Sequence, residues 1–403
     1  MMRKLRRGLA LILILGMLVI PAYAEAEEEE GFDPESWTAV ETLASLEDVS
    51  ASVGAAVLME RETRTCLYES EARRHLPIAS VTKVMTLLLV TELVDQGNLQ
   101  LDQKATCSAY AASMGGSQIF LEEGETMTVR DLIKAVAVSS ANDGAVVLAE
   151  AAAGSEGAFV ERMNRRAREL GMEDTVYANC TGLPCQAEHY SCARDIALLS
   201  CQLLSCEWIR EYTTIWMDTV RDGTFGLSNT NKLIRFYPGA TGLKTGFTQE
   251  AMYCLSASAM RDGTEYVAVI LHAPTSDIRF ESAKLLLNHA FANYQMVELL
   301  PDSALAPVRV HMGSSPWVQP VLSGETRLLL EKSRLSGLRK ELSLAEETEA
   351  PVAEGQTLGV LRLLDREGTE LARVELRAGE TVERASWGSV LLRLIRMVFL
   401  GEA

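Results

Sequence analysis

Between Trp37 and about Leu300, two kinds of apolar pattern alternate. Thr82–Leu93, Val129–Ala151 and Ala158–Leu170 have helical length and few breakers, whereas Val53–Met59 and Tyr266–Leu271 are short continuous apolar runs that read as buried strands. After Pro301 the texture changes. Val308–His311, Thr326–Leu330, Leu358–Leu363 and Leu371–Leu376 are short strand candidates separated by glycines and charged turns. The pattern predicts a larger domain of helices and strands over residues 37–300, then a small all-β domain over 301–381. No internal repeat stands out.

The two ends read differently. Residues 1–24 have a basic start, an apolar run from Gly8 to Ile20, and a small-x-small site at Ala22-Tyr23-Ala24, the signature of a cleaved secretory leader. Residues 25–36 are acidic and carry nothing apolar enough to fold, so they read as a solvated tether. Over 386–400 the chain turns helical and apolar again. Ser386, Ser389, Arg393 and Arg396 share one face, while Trp387, Leu391, Leu394, Ile395, Val398 and Phe399 cover most of the rest. The run is about 15 residues, short of the roughly 20 needed to span a bilayer, so it is expected to lie in the membrane interface. The alternative is a helix docked on the chain's own β-rich part.

The formal charge is −17, and loss of Arg3, Lys4, Arg6 and Arg7 with the leader takes it to −21, which argues against a nucleic-acid partner. Eight cysteines in an exported chain leave disulfide pairing open, but they lack the CxxC pairs or Cys/His spacing of a zinc site. His189, among Cys180, Cys185 and Cys192, reads as a loop residue.

Three short motifs carry chemistry. In Ser80-Val81-Thr82-Lys83 a helix starting here puts Ser80 and Lys83 on one face, bringing hydroxyl and amine within reach. Lys83 can act as base if burial and a nearby cation push its pKa down from about 10.4. In Ser140-Ala141-Asn142 a hydroxyl and a carboxamide can face one cleft from a tight turn; Ser140 can pass a proton and Asn142 can bind a substrate amide. In Lys244-Thr245-Gly246 the glycine lets a substrate backbone lie against the strand, while Lys244 and Thr245 suit a substrate carboxylate. Each motif alone has an ordinary reading: an N-cap with a surface lysine, a polar turn, a chance tripeptide.

In this order and at these separations the three motifs resemble the set shared by penicillin-binding proteins and β-lactamases. The flanking residues are similar to the low-molecular-mass D-alanyl-D-alanine carboxypeptidases: Ile78-Ala79, Val138-Ser139, His189-Tyr190-Ser191, Ala193-Arg194-Asp195, Asn229-Thr230-Asn231-Lys232-Leu233 and Tyr237-Pro238-Gly239. The resemblance implies an α/β fold: a β-lactamase/transpeptidase-like domain, in which helices flank an antiparallel sheet, followed by the small β domain and the amphipathic helix. It implies Ser80 as acylated nucleophile, Lys83 as its base, Ser140 and Lys244 as proton relay and electrostatic support, and the N–H groups of Ser80 and Phe247 as oxyanion hole. Arg279 matches a position the family uses for the terminal carboxylate. No metal or organic cofactor is implied. The expected partners are peptidoglycan stem peptides, β-lactam inhibitors and, since similar enzymes end in an anchor, the outer face of the cytoplasmic membrane.

The chain departs from many relatives at Ala141, whose side chain is not expected to reach the reacting atoms. Glu161-Arg162-Met163-Asn164 looks superficially like the deacylation glutamate of a β-lactamase, but it lies in a helical stretch before the loop where that group is needed. The reading is therefore a carboxypeptidase; a β-lactamase, an endopeptidase or a non-catalytic cell-wall-binding scaffold on the same fold are the alternatives.

Overall fold

The computed structural model describes residues 43–391. Its centre is a five-stranded antiparallel sheet built from Ala55–Glu60 (β1), Cys66–Ser70 (β2), Ala240–Thr248 (β3), Met252–Arg261 (β4) and Thr264–Ala273 (β5), in the spatial order β2-β1-β5-β4-β3. β1 is buried along its whole length and β5 nearly so, which explains why both read as continuous apolar runs. Successive residues still point to opposite faces. Ala55, Val57, Met59, Val267, Val269 and Leu271 enter one core, while Ala56, Leu58, Tyr266, Ala268 and Ile270 enter another.

The second core is closed by Leu46–Ser52 (α1) and Ser276–Asn293 (α7), through Val49, Phe280, Ala283, Leu286, Leu287 and Ala290. The first core is covered by Lys83–Asp95 (α2), Val129–Ser139 (α3), Asn142–Ala153 (α4), Glu156–Glu169 (α5) and Ala193–Leu204 (α6). α2 is buried from Lys83 through Thr91, so it runs through the inside of the helical layer rather than along its surface.

The structure differs from the sequence pattern at Val129–Ala151, which is two helices rather than one. Ser140 takes the left-handed conformation, φ 62° and ψ 27°, and ends α3; α4 starts two residues later. A left-handed residue cannot continue a right-handed helix. The break sets Ser140 and Asn142 at the joint between two helices.

The β-rich end has two small cores of its own, one around Val308, Val310, Val318, Val352 and Val382, the other around Leu299, Leu361, Leu363 and Val374. Its four-stranded sheet runs Pro320–Ser323, Glu370–Ala378, Thr357–Leu364, Arg339–Leu344. Arg339–Leu344 is largely exposed and polar, which hid it in the hydrophobic pattern. The strand Tyr294–Glu298, directly after α7, pairs with Arg327–Glu331, and Arg327 donates to Glu62 and to the Gly263 carbonyl. Residues 387–391 are helical, with Trp387 91 % exposed, so this side chain docks on nothing among the described residues. The rest of 386–400, the leader and the acidic tether lie outside the described residues. Among the described residues no helix is long and apolar enough to cross a membrane, and the eight cysteines are free thiols.

Candidate active site

Ser80 sits in a 3-10 turn, Ala79–Thr82, that leads straight into α2. The turn puts Lys83 Nζ 2.8 Å from Ser80 Oγ, the juxtaposition the three-residue spacing predicts. Lys83 has two further neighbours, the Thr181 carbonyl at 2.9 Å and Ser140 Oγ at 3.5 Å. A neutral amine has two N–H groups and one lone pair. Lys83 donates to all three as an ammonium; in the neutral form, N–H groups given to Thr181 and Ser140 leave the lone pair for the Ser80 hydroxyl. Lys83 is fully buried, and burial first, then the charge of Lys244, hold its amine well below the ordinary lysine range. It is thereby suited to accept a proton.

The α3–α4 joint supplies the second motif. Asn142 donates from Nδ2 to the Gly115 carbonyl at 2.7 Å, which fixes the amide's orientation and leaves Oδ1 buried without a hydrogen-bond partner. A buried acceptor costs free energy until something donates to it, and a substrate N–H is such a donor. Beside it, buried Asp143 accepts from the backbone N–H groups of Ile119, Leu121 and Gly144, holding the 115–121 loop under Asn142. Ala141 is fully buried in the first core.

The third motif lies on edge strand β3. Lys244 is buried and donates to the Thr245 carbonyl at 2.9 Å, and Thr245 Oγ1 donates to Thr230 Oγ1 at 2.6 Å. Thr230 is held in turn by its N–H to the Val138 carbonyl, and Asn231 donates to the Gly242 carbonyl, so the Asn229–Asn231 stretch ties β3 to α3. Gly246 has a steric reason to be glycine: a Cβ there would lie 2.8 Å from the Ile78 carbonyl oxygen and 3.0 Å from Ser80 N. The strand therefore lies directly against the Ala79–Thr82 turn, with the Ser80 amide beside Gly246. Phe247 packs on Tyr253 at 4.5 Å between ring centroids and stays 39 % exposed.

Arg279 is buried in the first turn of α7. It donates to the carbonyls of Gly246 (3.4 Å) and Cys254 (3.3 Å) and lies over the rings of Tyr253 and Phe280. Its guanidinium is thus placed behind the Lys244–Gly246 strand and braces its main chain. Glu161 lies exposed on α5.

One part of the site escaped the sequence reading, the loop Asn179–Leu183. Asn179 accepts from the N–H groups of Thr181 and Gly182 and donates to the Leu183 carbonyl, closing a tight turn that presents the Thr181 carbonyl to Lys83. Thr86 on α2 donates to the Cys180 carbonyl at 2.6 Å. A Cβ on Gly182, at φ 82°, would lie 1.8 Å from the Ala79 carbonyl oxygen, so the loop presses on the Ala79–Thr82 turn as closely as backbone allows. The Asn-Cys-Thr-Gly run signals a turn, but its partner lies a hundred residues upstream, and local sequence does not carry that contact.

Known proteins of similar sequence and fold give the chain its family. The family model for D-alanyl-D-alanine carboxypeptidases matches residues 41–275. D-alanyl-D-alanine carboxypeptidase DacF of Bacillus subtilis is 40 % identical over 343 residues, 84 % of this chain and 88 % of the relative. Among solved structures, penicillin binding protein 5 from Haemophilus influenzae superposes with a TM-score of 0.70 at 26 % identity, covering 83 % of this chain and 98 % of that one. Penicillin-binding protein D2 from Listeria monocytogenes, solved in an ampicillin-bound form, is 34 % identical with a TM-score of 0.52 and covers 59 % of this chain. With the family model matching residues 41–275 and a relative 40 % identical over most of its length, the chain belongs to the D-alanyl-D-alanine carboxypeptidases of peptidase family S11, the low-molecular-mass penicillin-binding proteins.

Proposed function

We propose that this chain removes the terminal D-alanine from peptidoglycan stem pentapeptides through an acyl-enzyme on Ser80, and that β-lactams inhibit it by acylating the same oxygen. The observation that carries the reading is the buried Lys83 amine, 2.8 Å from Ser80 Oγ and held below its ordinary pKa. Ser80 Oγ attacks the penultimate carbonyl carbon and its proton passes to Lys83 Nζ. The tetrahedral oxyanion is held by the N–H groups of Ser80 and Phe247. Ser140, next to Lys83, returns the proton to the leaving amine, and D-alanine departs. Water then adds to the acyl carbon and releases the shortened peptide, restoring the Ser80 hydroxyl.

Asn142 Oδ1 accepts the substrate's backbone N–H. Lys244 and Thr245 take the terminal carboxylate, with Arg279 adding positive charge from behind Gly246. Residues 37–300 form the catalytic domain and 301–381 the β-rich one. The enzyme works outside the cytoplasm, held on the outer face of the membrane by 386–400.

A free carboxylate separates a carboxypeptidase from an endopeptidase. The proposal expects a diacyl peptide ending in D-Ala-D-Ala to be cleaved at least about 100-fold faster than the same peptide amidated at its C-terminus, because the amide leaves buried donors unpaired. D-alanine and D-alaninamide release, measured side by side, decide it; equal rates point to an endopeptidase.

A further inference from the structure

His189 belongs to none of the three motifs, yet it joins two pieces of the site. Its Nε2 lies 2.8 Å from Thr82 Oγ1, and its Nδ1 accepts from the Ala178 backbone N–H at 3.2 Å. A backbone N–H only donates, so Nδ1 carries the lone pair and the ring proton sits on Nε2, which donates to Thr82. The ring also meets Tyr177 edge-on, with centroids 5.7 Å apart. Thr82 immediately precedes Lys83, and Ala178 immediately precedes the Asn179–Leu183 loop. The imidazole therefore spans the seam across which Lys83 reaches the Thr181 carbonyl and Thr86 reaches the Cys180 carbonyl.

We propose that His189 is a positioning residue for acyl transfer: its neutral Nε2–H tautomer clamps the 178–183 loop to the nucleophile turn and keeps the Thr181 carbonyl on Lys83. That carbonyl takes one amine N–H, and Ser140 takes the other, so the clamp indirectly aims the lone pair at Ser80. If the loop lifts, water reaches the amine, its desolvation is relieved and its pKa rises. The ring is suited to a fixed role because burial pushes its pKa down to about 4, leaving it neutral around neutral pH. Lys83 is faced by Lys244 from β3, Asp143 from α4 and Cys180 from the loop. The imidazole is faced by Tyr177, with Glu188 and Tyr190 adjacent in sequence. The inference rests on Ser80 and Lys83 being nucleophile and base, as proposed above.

The test is the second-order rate of acylation of the mature chain by a fluorescent penicillin, measured against pH for wild type, His189→Phe, His189→Gln and Thr82→Val. His189→Phe keeps a ring against Tyr177 but loses both hydrogen bonds. It should acylate about 10- to 100-fold more slowly, the cost of a small misplacement at a catalytic group, with its acid limb moved to higher pH. His189→Gln, whose amide reproduces the donor to Thr82 but not the acceptor for the Ala178 N–H, should fall between wild type and His189→Phe, and Thr82→Val should behave like His189→Phe. Should His189→Phe fail to fold, as read by thermal unfolding, Thr82→Val decides alone. A wild-type rate, or a reduced rate with an unmoved acid limb, in the folded variants overturns the proposal. A wild-type chain that takes no penicillin overturns the reading of Ser80 itself.

Discussion

At Lys83 two causes act in one direction. Burial disfavours the ammonium, and the neighbouring Lys244 charge disfavours it further. On the proposed mechanism acylation needs the neutral amine, so its rate should rise with pH through the lowered pKa and level off well below the ordinary lysine value. Removing the Lys244 charge raises the Lys83 pKa. Lys244→Gln should therefore shift the acid limb of penicillin acylation to higher pH, besides slowing acylation by about 100-fold or more through lost electrostatic support. A slower variant with an unmoved limb would assign the lowering to burial alone. Ser80, Lys83, Ser140, Asn142, Lys244, Thr245 and Gly246 are all legible in the sequence, because three motifs at set spacing carry them. What each touches is not. That Asn142 is oriented by Gly115, and that Arg279 braces the Gly246 carbonyl, are contacts between segments far apart in the chain.

Elements, rather than functional groups, decide how tightly the site closes. The 179–183 loop, the Ala79–Thr82 turn and β3 meet backbone to backbone, and Gly182 and Gly246 mark the two closest approaches. Gly182→Ala places a methyl where the Ala79 carbonyl stands and asks a residue with a Cβ to hold φ 82°, a penalty of about 1–2 kcal/mol before the clash is counted. The variant should lose about 100-fold or more in acylation while its far-ultraviolet circular dichroism stays that of the wild type. Unchanged acylation would show that the loop does not need this fit. The strands β1 and β5 and the helix α2 follow from the hydrophobic pattern, because burial on all sides leaves long apolar runs. The apolar run Val129–Ala151 does not by itself show the α3–α4 break, but the small polar residues Ser140 and Asn142 after Ser139 read as a tight turn, and the left-handed backbone at Ser140 makes that turn the joint between two helices.

Over the whole molecule, net charge bears on the proposed membrane attachment. The protein is strongly acidic, so an anionic membrane repels most of its surface, and attachment needs local basic and apolar groups. Residues 386–400 offer Arg393 and Arg396 together with Trp387, Leu391 and Leu394, and Trp387 and Leu391 are exposed where described. The mature chain should float with anionic liposomes, each arginine contributing on the order of 1 kcal/mol, whereas a chain ending at Ala385 should stay in solution and still take penicillin. Equal flotation of both would place the attachment elsewhere, and unfolding on truncation would make the segment structural. The measurement that bears most directly on the enzyme itself is free D-alanine released from a diacyl D-Ala-D-Ala peptide by the mature chain and by Ser80→Ala. Turnover by the wild-type chain and none by the folded variant is the predicted result; no release by the first, or continued release by the second, would contradict a serine carboxypeptidase acting through Ser80.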